Sequence, residues 1–249
     1  MTRILVPLAI LEGESVSAGL TTLLEPMYVT VLGYHVLPEQ TPPDQARLQF
    51  EAQATAALED LAAEFGADEG TADYRLVFTH NKKQTFDRVA AEMRSDAYAI
   101  PGTTGPVEQL LVALTGDVAV DRIVSFVTDL VGDRDIGVTL FLVTDDEHAG
   151  QNSLEAAAVT LFDEGLHVRT ELAVDEPPLE ALVDAAADHD AIVMGEQAPS
   201  LRSLIFGEDT ERVAAESVGP VLVVRTLEDV EESIEAGQRP SRSDVADDS

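Results

Sequence analysis

The chain of 249 residues contains no cysteine, which excludes disulfides, thiol catalysis and cysteine-based metal sites. Long apolar runs are also missing, since the longest stop far short of the roughly 18–20 residues that a membrane-spanning helix needs. The apolar stretch at residues 4–11 is interrupted by Pro7 and is followed by Glu12 without a small-residue cleavage pattern. It predicts a buried strand rather than a signal peptide. We therefore expect a cytoplasmic protein without membrane insertion.

Positive charge is scarce. Lys82 and Lys83 are the only lysines, and 47 Asp and Glu residues give a net charge of −32. Such a surface repels itself at low salt and needs counter-ions to stay compact, which is typical of a halophilic cytosol. The alternative, an acidic recognition surface for a basic partner, is disfavoured because the acids are spread over the whole chain. No basic stripe could displace counter-ions from a phosphate backbone, so we expect no nucleic-acid partner.

Short apolar segments alternate with longer amphipathic ones, which predicts an α/β protein with a parallel sheet covered on both faces. The series occurs twice, and this predicts a duplication. The first copy has its apolar segments at 3–9, 28–36, 73–80 and 97–102, with helical patterns at 43–66 and 85–93. The second has them at 109–116, 138–147, 167–174 and 191–195, and it continues through a helix at about 210–217 to 220–225.

The two copies differ in length. After Gly102, the first has only the six residues "TTGPVE" before the next strand begins, and these cannot hold a helix and a fifth strand. We predict a truncated domain at 1–107 (the first half), a complete domain at 108–226 (the second half) and an acidic, partly disordered tail at 227–249.

This order of elements, with a glycine-bearing turn after the fourth strand and the ending "GPVLVVR" (219–225), resembles the universal stress protein family. The resemblance implies two flavodoxin-like, Rossmann-like domains with strand order 3-2-1-4-5, the first truncated after strand 4. In ATP-binding members the nucleotide lies at the carboxyl ends of strands 1 and 4, which is the topological switch point. They carry Gly-x2-Gly-x9-Gly-Ser/Thr after strand 4 and an Asp at the end of strand 1.

The chain departs from this pattern after strand 4. Gly195 matches the first glycine, Ala198 stands in place of the second, and Gly207 follows after a spacer one residue short. Glu208 replaces the small hydroxyl residue. A carboxylate about 4 Å from a phosphate costs on the order of 4 kcal/mol at an effective dielectric constant near 20, although a divalent cation or Arg202 could offset part of this.

Strand 1 departs from the family pattern as well. The position of the family's Asp is Ala9 in the first half and Thr115 in the second. We therefore expect a regulatory or interaction protein of the universal-stress type, in stress or transport physiology, with a degenerate nucleotide site, no ATP hydrolysis and no cofactor. The alternative is an ATP-binding stress sensor that uses the loops after strands 1 and 4 of the second half.

The candidate ligand-binding residues all follow strands 1 and 4 of the second half: Thr115, Gly195, Ser200, Arg202, Ser203 and Gly207. The alternative for the two serines and the arginine is that they fasten the loop to the domain. The five histidines have no ligand at metal-site spacing. No Ser-His-Asp order or paired carboxylates stand out, so we expect neither a metal site nor catalytic residues.

The last strand, 220–225, leads to a prediction about how chains associate. In the resembled family, fifth strands pair across a two-fold axis, and an uncovered apolar edge strand is an aggregation hazard. The two halves could cover this strand internally, or two chains could pair through it. Because Pro101 breaks the last strand of the first half, a homodimer with Val221, Leu222 and Val223 at its seam is the favoured prediction.

Overall fold

The computed structural model describes residues 1–66, 71–114, 120–196 and 219–225. Its strands are β1 (Arg3–Leu8), β2 (Tyr28–Val36), β3 (Ala72–Thr79), β4 (Ala97–Ile100), β5 (Gln109–Ala113), β6 (Gly137–Thr144), β7 (Val168–Val174), β8 (Ala191–Gly195) and β9 (Val221–Val224). Its helices are α1 (Ala18–Leu24), α2 (Pro43–Glu64), α3 (Lys82–Met93), α4 (Val120–Val131), α5 (Glu147–Asp163) and α6 (Pro178–Ala186).

All nine strands form one sheet in the order β3-β2-β1-β4-β9-β8-β5-β6-β7. The first half therefore has the order 3-2-1-4, and the second half, counted from β5, has the order 3-2-1-4-5. Within each half the strand pairs are parallel. The predicted fold class is confirmed, although the two parallel sheets are joined into one. The domain and tail boundaries stay predictions.

β9 joins the two halves. It pairs in parallel with β8 and antiparallel with β4, with Tyr98 opposite Val223. The prediction that Val221, Leu222 and Val223 lie at a homodimer seam is therefore wrong, because both edges of β9 are paired within the chain and these residues are at most 2% exposed. Pro101 does not prevent the pairing, because β4 ends one residue before it.

Apolar side chains cover both faces of the sheet. Alternate residues of β1 point to opposite faces, so that Ile4 and Val6 join the core under α1, α2, α4 and α5, whereas Leu5 joins the core under α3 and α6. Short runs buried on both faces are what a parallel sheet between two helical layers requires.

The two halves repeat one contact at the start of their first strands. The carboxylate of Asp96 accepts a hydrogen bond of 3.0 Å from the Arg3 N–H, and that of Asp190 accepts one of 2.9 Å from the Gln109 N–H. Each aspartate directly precedes the fourth strand of its half and aligns it with the first strand. This alignment places the carboxyl ends of strands 1 and 4 side by side, where doubly wound sheets bind their ligands.

Candidate functional site

Because β4 and β9 pair antiparallel, the strands of the two halves run in opposite directions. The switch points of the two halves therefore lie at opposite ends of the strands. In the second half, the switch point lies where β5 and β8 end. Ala113 and Met194 are register partners there, and the buried Gly195 follows at the end of β8. This glycine lies at the switch point, and its role in binding a ligand stays a prediction.

The other predicted site residues lie outside the described residues: Thr115, Ser200, Arg202, Ser203 and Gly207. Their convergence on Gly195 stays a prediction.

A buried arginine lies beside this switch point, and sequence reasoning missed it. Arg225 follows β9 and is 1% exposed, and its Nε lies 3.7 Å from the carboxylate of Glu196, the residue after Gly195. Its guanidinium lies 5.4 Å from the centre of the Tyr98 ring and donates to the Ser95 carbonyl at 3.3 Å. The only signal in the sequence is an arginine that ends an apolar run, which also fits an exposed strand end.

The contacts of Arg225 connect three strands. Glu196 follows β8, Ser95 lies two residues before β4, Tyr98 lies within β4, and Arg225 follows β9. A buried guanidinium needs an opposite charge nearby, and Glu196 supplies it. The cluster therefore fixes the first residue after Gly195 to the junction between the two halves.

In the first half, the chain fills its own switch point at the end of β1. The Ala9 N–H, at the position of the family's aspartate, donates to the carboxylate of Glu14 at 2.6 Å. The left-handed backbone of Gly13, with φ of 79°, turns the chain so that this carboxylate reaches back. A carboxylate bound to this N–H excludes a phosphate from the same place by charge and by volume.

The segment that follows β4 also fills space at the switch point of the first half. A Cβ atom added to Gly19, near the start of α1, would lie 1.7 Å from the Gly105 carbonyl oxygen. One added to Gly102 would lie 2.3 Å from the Gly219 carbonyl carbon. The backbone of 102–105 therefore lies directly on α1 and on the chain that leads into β9, so glycine is required at both positions.

Two cavities lie on this side of the sheet. One of about 390 Å³ is lined by α1, residues 104–107 and residues 134–136. The N–H groups of Arg134 at its wall already donate to main-chain carbonyls, among them that of Thr22 at 2.8 Å. The other, of about 600 Å³, lies at the amino ends of β5, β6 and β7 and includes Asp135 and His167.

Three of the histidines in the described ranges bond to other groups of the chain or lie beside a single carboxylate. His189 bonds to the Thr139 hydroxyl at 2.9 Å, His80 to the Leu37 carbonyl at 3.2 Å, and His167 lies 3.5 Å from the Asp135 carboxylate. Among the described residues, no three histidine or acidic side chains form a group that could hold a metal ion. No helix in these same ranges has the length and apolar character needed to cross a membrane.

Solved structures share this fold. A universal stress protein from Archaeoglobus fulgidus DSM 4304 superposes with a TM-score of 0.55 at 15% identity, covering 90% of this chain and 96% of its own. A putative universal stress protein from Pseudomonas aeruginosa UCBPP-PA14 gives 0.54 at 15% identity, covering 95% and 98%. A functionally unknown protein from Pseudomonas aeruginosa PAO1 gives 0.53 at 15% identity, covering 96% and 98%.

These comparisons establish what is shared. The similarity extends over nearly the whole length of both chains, and at 15% identity the shared property is the fold. No protein-family model matches the sequence, and no curated protein matches it closely enough to count as a relative.

Proposed function

We propose that this chain is a regulatory or interaction protein of the universal-stress type that neither depends on ATP nor hydrolyses it. The fold shared with universal stress proteins supports the class. We propose that it acts in the cytosol of a cell with high internal salt, because the chain has 47 acidic residues and only 15 basic ones.

The main support for the proposal that no nucleotide binds is the switch point of the first half, which the chain itself occupies. There, the carboxylate of Glu14 holds the Ala9 N–H at 2.6 Å, and Gly105 lies against Gly19. Phosphate sites in this fold need free backbone N–H groups and space at the carboxyl ends of strands 1 and 4. Both are taken up by the chain itself.

For the second half, the support comes from the loop sequence and from Glu196. Ala198 and Glu208 replace the second glycine and the hydroxyl residue of the resembled motif. Glu196, next to Gly195, adds a further carboxylate that is ion-paired to Arg225. At the position of the motif's hydroxyl residue, a carboxylate would oppose a phosphate by charge, whereas the charge of Glu196 is offset by Arg225.

Calorimetric titration with Mg-ATP in roughly molar KCl, where exposed charges are screened, tests the proposal. We expect no binding heat at nucleotide concentrations up to the millimolar range, and no release of phosphate. Micromolar binding would contradict the proposal and favour the ATP-binding sensor. As a control, the double variant Ala198→Gly and Glu208→Ser, which restores two positions of the motif, should bind ATP more tightly than the wild type.

A further inference from the structure

The sheet ends in two outer strands, β3 in the first half and β7 in the second. An outer strand has a row of N–H and C=O groups that can pair with another chain unless they are blocked. The two outer strands differ in whether this row is blocked.

On the β3 edge, a side chain already binds an outward N–H near the middle of the strand. The Val29 N–H donates to the Thr71 carbonyl and the Leu37 N–H to the Thr79 carbonyl, so the odd-numbered residues of β3 bond to β2 and the even-numbered ones face outward. The outward N–H of Tyr74 donates to the carboxylate of Asp73 at 2.7 Å. A second strand would have to displace this carboxylate.

Within the ranges that the structure describes, no strand pairs with the outer side of β7. The Val138 N–H donates to the His167 carbonyl, and the Asp175 N–H donates to the Thr144 carbonyl. With the register of Val138 opposite Val168, the odd-numbered residues of β7 bond to β6. The even-numbered residues, with the exposed Thr170 at the centre, therefore direct their N–H and C=O groups away from the sheet.

The side chains of β7 are self-complementary about Thr170. In an antiparallel pair with the two-fold axis at Thr170, this residue faces its own copy and Val168 faces Leu172 of the second chain, both as hydrogen-bonded pairs. Arg169 then lies opposite Glu171 of the second chain, in the pairs whose Cα atoms approach to about 4.5 Å. Opposite charges stabilise such a cross-strand pair and like charges destabilise it.

We propose that two copies of this chain pair antiparallel along β7, with Thr170 on the two-fold axis. The two sheets then form one continuous sheet, and Arg169 and Glu171 make two reciprocal ion pairs. At high salt, the long-range repulsion between two chains of net charge −32 is screened, whereas the hydrogen bonds of the strand pair remain.

Charge reversal with light scattering in about 1 M KCl tests the proposal. The wild type should have the mass of two chains. Arg169→Glu places two carboxylates opposite each other in each cross-strand pair, and Glu171→Arg places two guanidinium groups there. Each variant should therefore raise the dissociation constant about tenfold or more. Mixing the two variants restores opposite charges in both pairs, and the mixture should form a one-to-one heterodimer.

Two further variants test whether the dimer forms through β7 or is sensitive to any charge change on an outer strand. Thr170→Pro removes the central outward N–H without touching a bond to β6, so it should also weaken the dimer. Arg75→Glu makes the same charge change on β3 and should leave the dimer intact. A monomeric wild type, a mixture that stays monomeric, or an Arg75→Glu variant that dissociates like Arg169→Glu would each overturn the proposal.

Discussion

The guanidinium of Arg134 in the second half donates a hydrogen bond of 2.9 Å to the carbonyl of Leu23 in the first half. It also donates to the Thr22 carbonyl at 2.8 Å and to the carbonyls of Leu130 and Val131. These four carbonyls end α1 and α4, where the last helical carbonyls have no partner within the helix. One side chain therefore caps a helix in each half, and burial lowers the pKa of Arg134 below its ordinary value.

Arg134→Ala should lower the free energy of unfolding by about 2–4 kcal/mol, because it leaves partly buried carbonyls without donors. Arg134→Lys should recover only part of this, since an ammonium cannot span four acceptors as the planar guanidinium does. Denaturant unfolding at high salt measures both. The matched control is Arg88→Ala, which removes an exposed ion pair with Glu92 and should cost well under 1 kcal/mol. Equal losses for Arg134→Ala and Arg88→Ala would contradict this role.

Val223→Lys should prevent folding rather than yield folded monomers. Val223 is fully buried in β9 between β4 and β8, so a lysine there would place an unpaired charge in the core at a cost of several kcal/mol. Val36→Lys is the control, because Val36 is 42% exposed and its replacement should change stability by about 0.5 kcal/mol or less. Circular dichroism at high salt reports the outcome. A folded Val223→Lys protein would mean that β9 can leave the sheet.

The parallel α/β architecture could be predicted because apolar runs on both faces and their alternation with helical patterns are local properties of the sequence, whereas the strand order was implied by the resemblance to universal stress proteins. The position of β9 could not. Its sequence shows only that it is buried, whereas its pairing with β4 depends on which strand of the other half has a free edge. Arg225 was missed for the same reason, since its burial arises from Glu196 and Tyr98, which are distant in sequence.

The candidate site, too, could be predicted only in part from the sequence. Gly195 could be placed because it ends a recognisable strand and because strands 1 and 4 end side by side in this fold. The bond between Glu14 and Ala9 was not predicted, because no pattern links a glutamate in a turn to an N–H five residues earlier. The helix predicted at 85–93 begins three residues earlier, at Lys82, because the side chain of Asn81 accepts a hydrogen bond of 3.0 Å from the Gln84 N–H.

The melting temperature should rise strongly between about 0.1 M and 3 M KCl, because added salt screens the repulsion between exposed charges over distances beyond the Debye length. The net charge of −32 and the scarcity of lysine are the cause. Thermal unfolding followed by circular dichroism measures the effect. Sucrose, which stabilises by exclusion without screening charge, should not reproduce it at matched osmolality. A melting temperature that does not change with salt would refute the halophilic interpretation.

Alkaline pH should destabilise the contact between α2 and β3 through Tyr74. Its hydroxyl donates to the carboxylate of Glu59 at 3.0 Å. This hydrogen bond is the main cause that raises the pKa of Tyr74 above 10.0, followed by burial and by the charges of Glu59 and Asp73. Because the folded pKa lies above the unfolded value, the stabilisation is present below about pH 10 and is lost as the pH rises through the folded pKa.

Ultraviolet titration of the phenolate bands isolates Tyr74 as the difference between the wild type and Tyr74→Phe. In the wild type this difference should titrate above the ordinary tyrosine range. Glu59→Gln removes the negative charge that opposes ionisation and should move the titration of Tyr74 back toward about 10. Glu51→Gln removes an exposed carboxylate elsewhere on α2 and should leave it unchanged. A titration that is the same in the wild type and Glu59→Gln would show that the hydrogen bond between Tyr74 and Glu59 does not control the pKa.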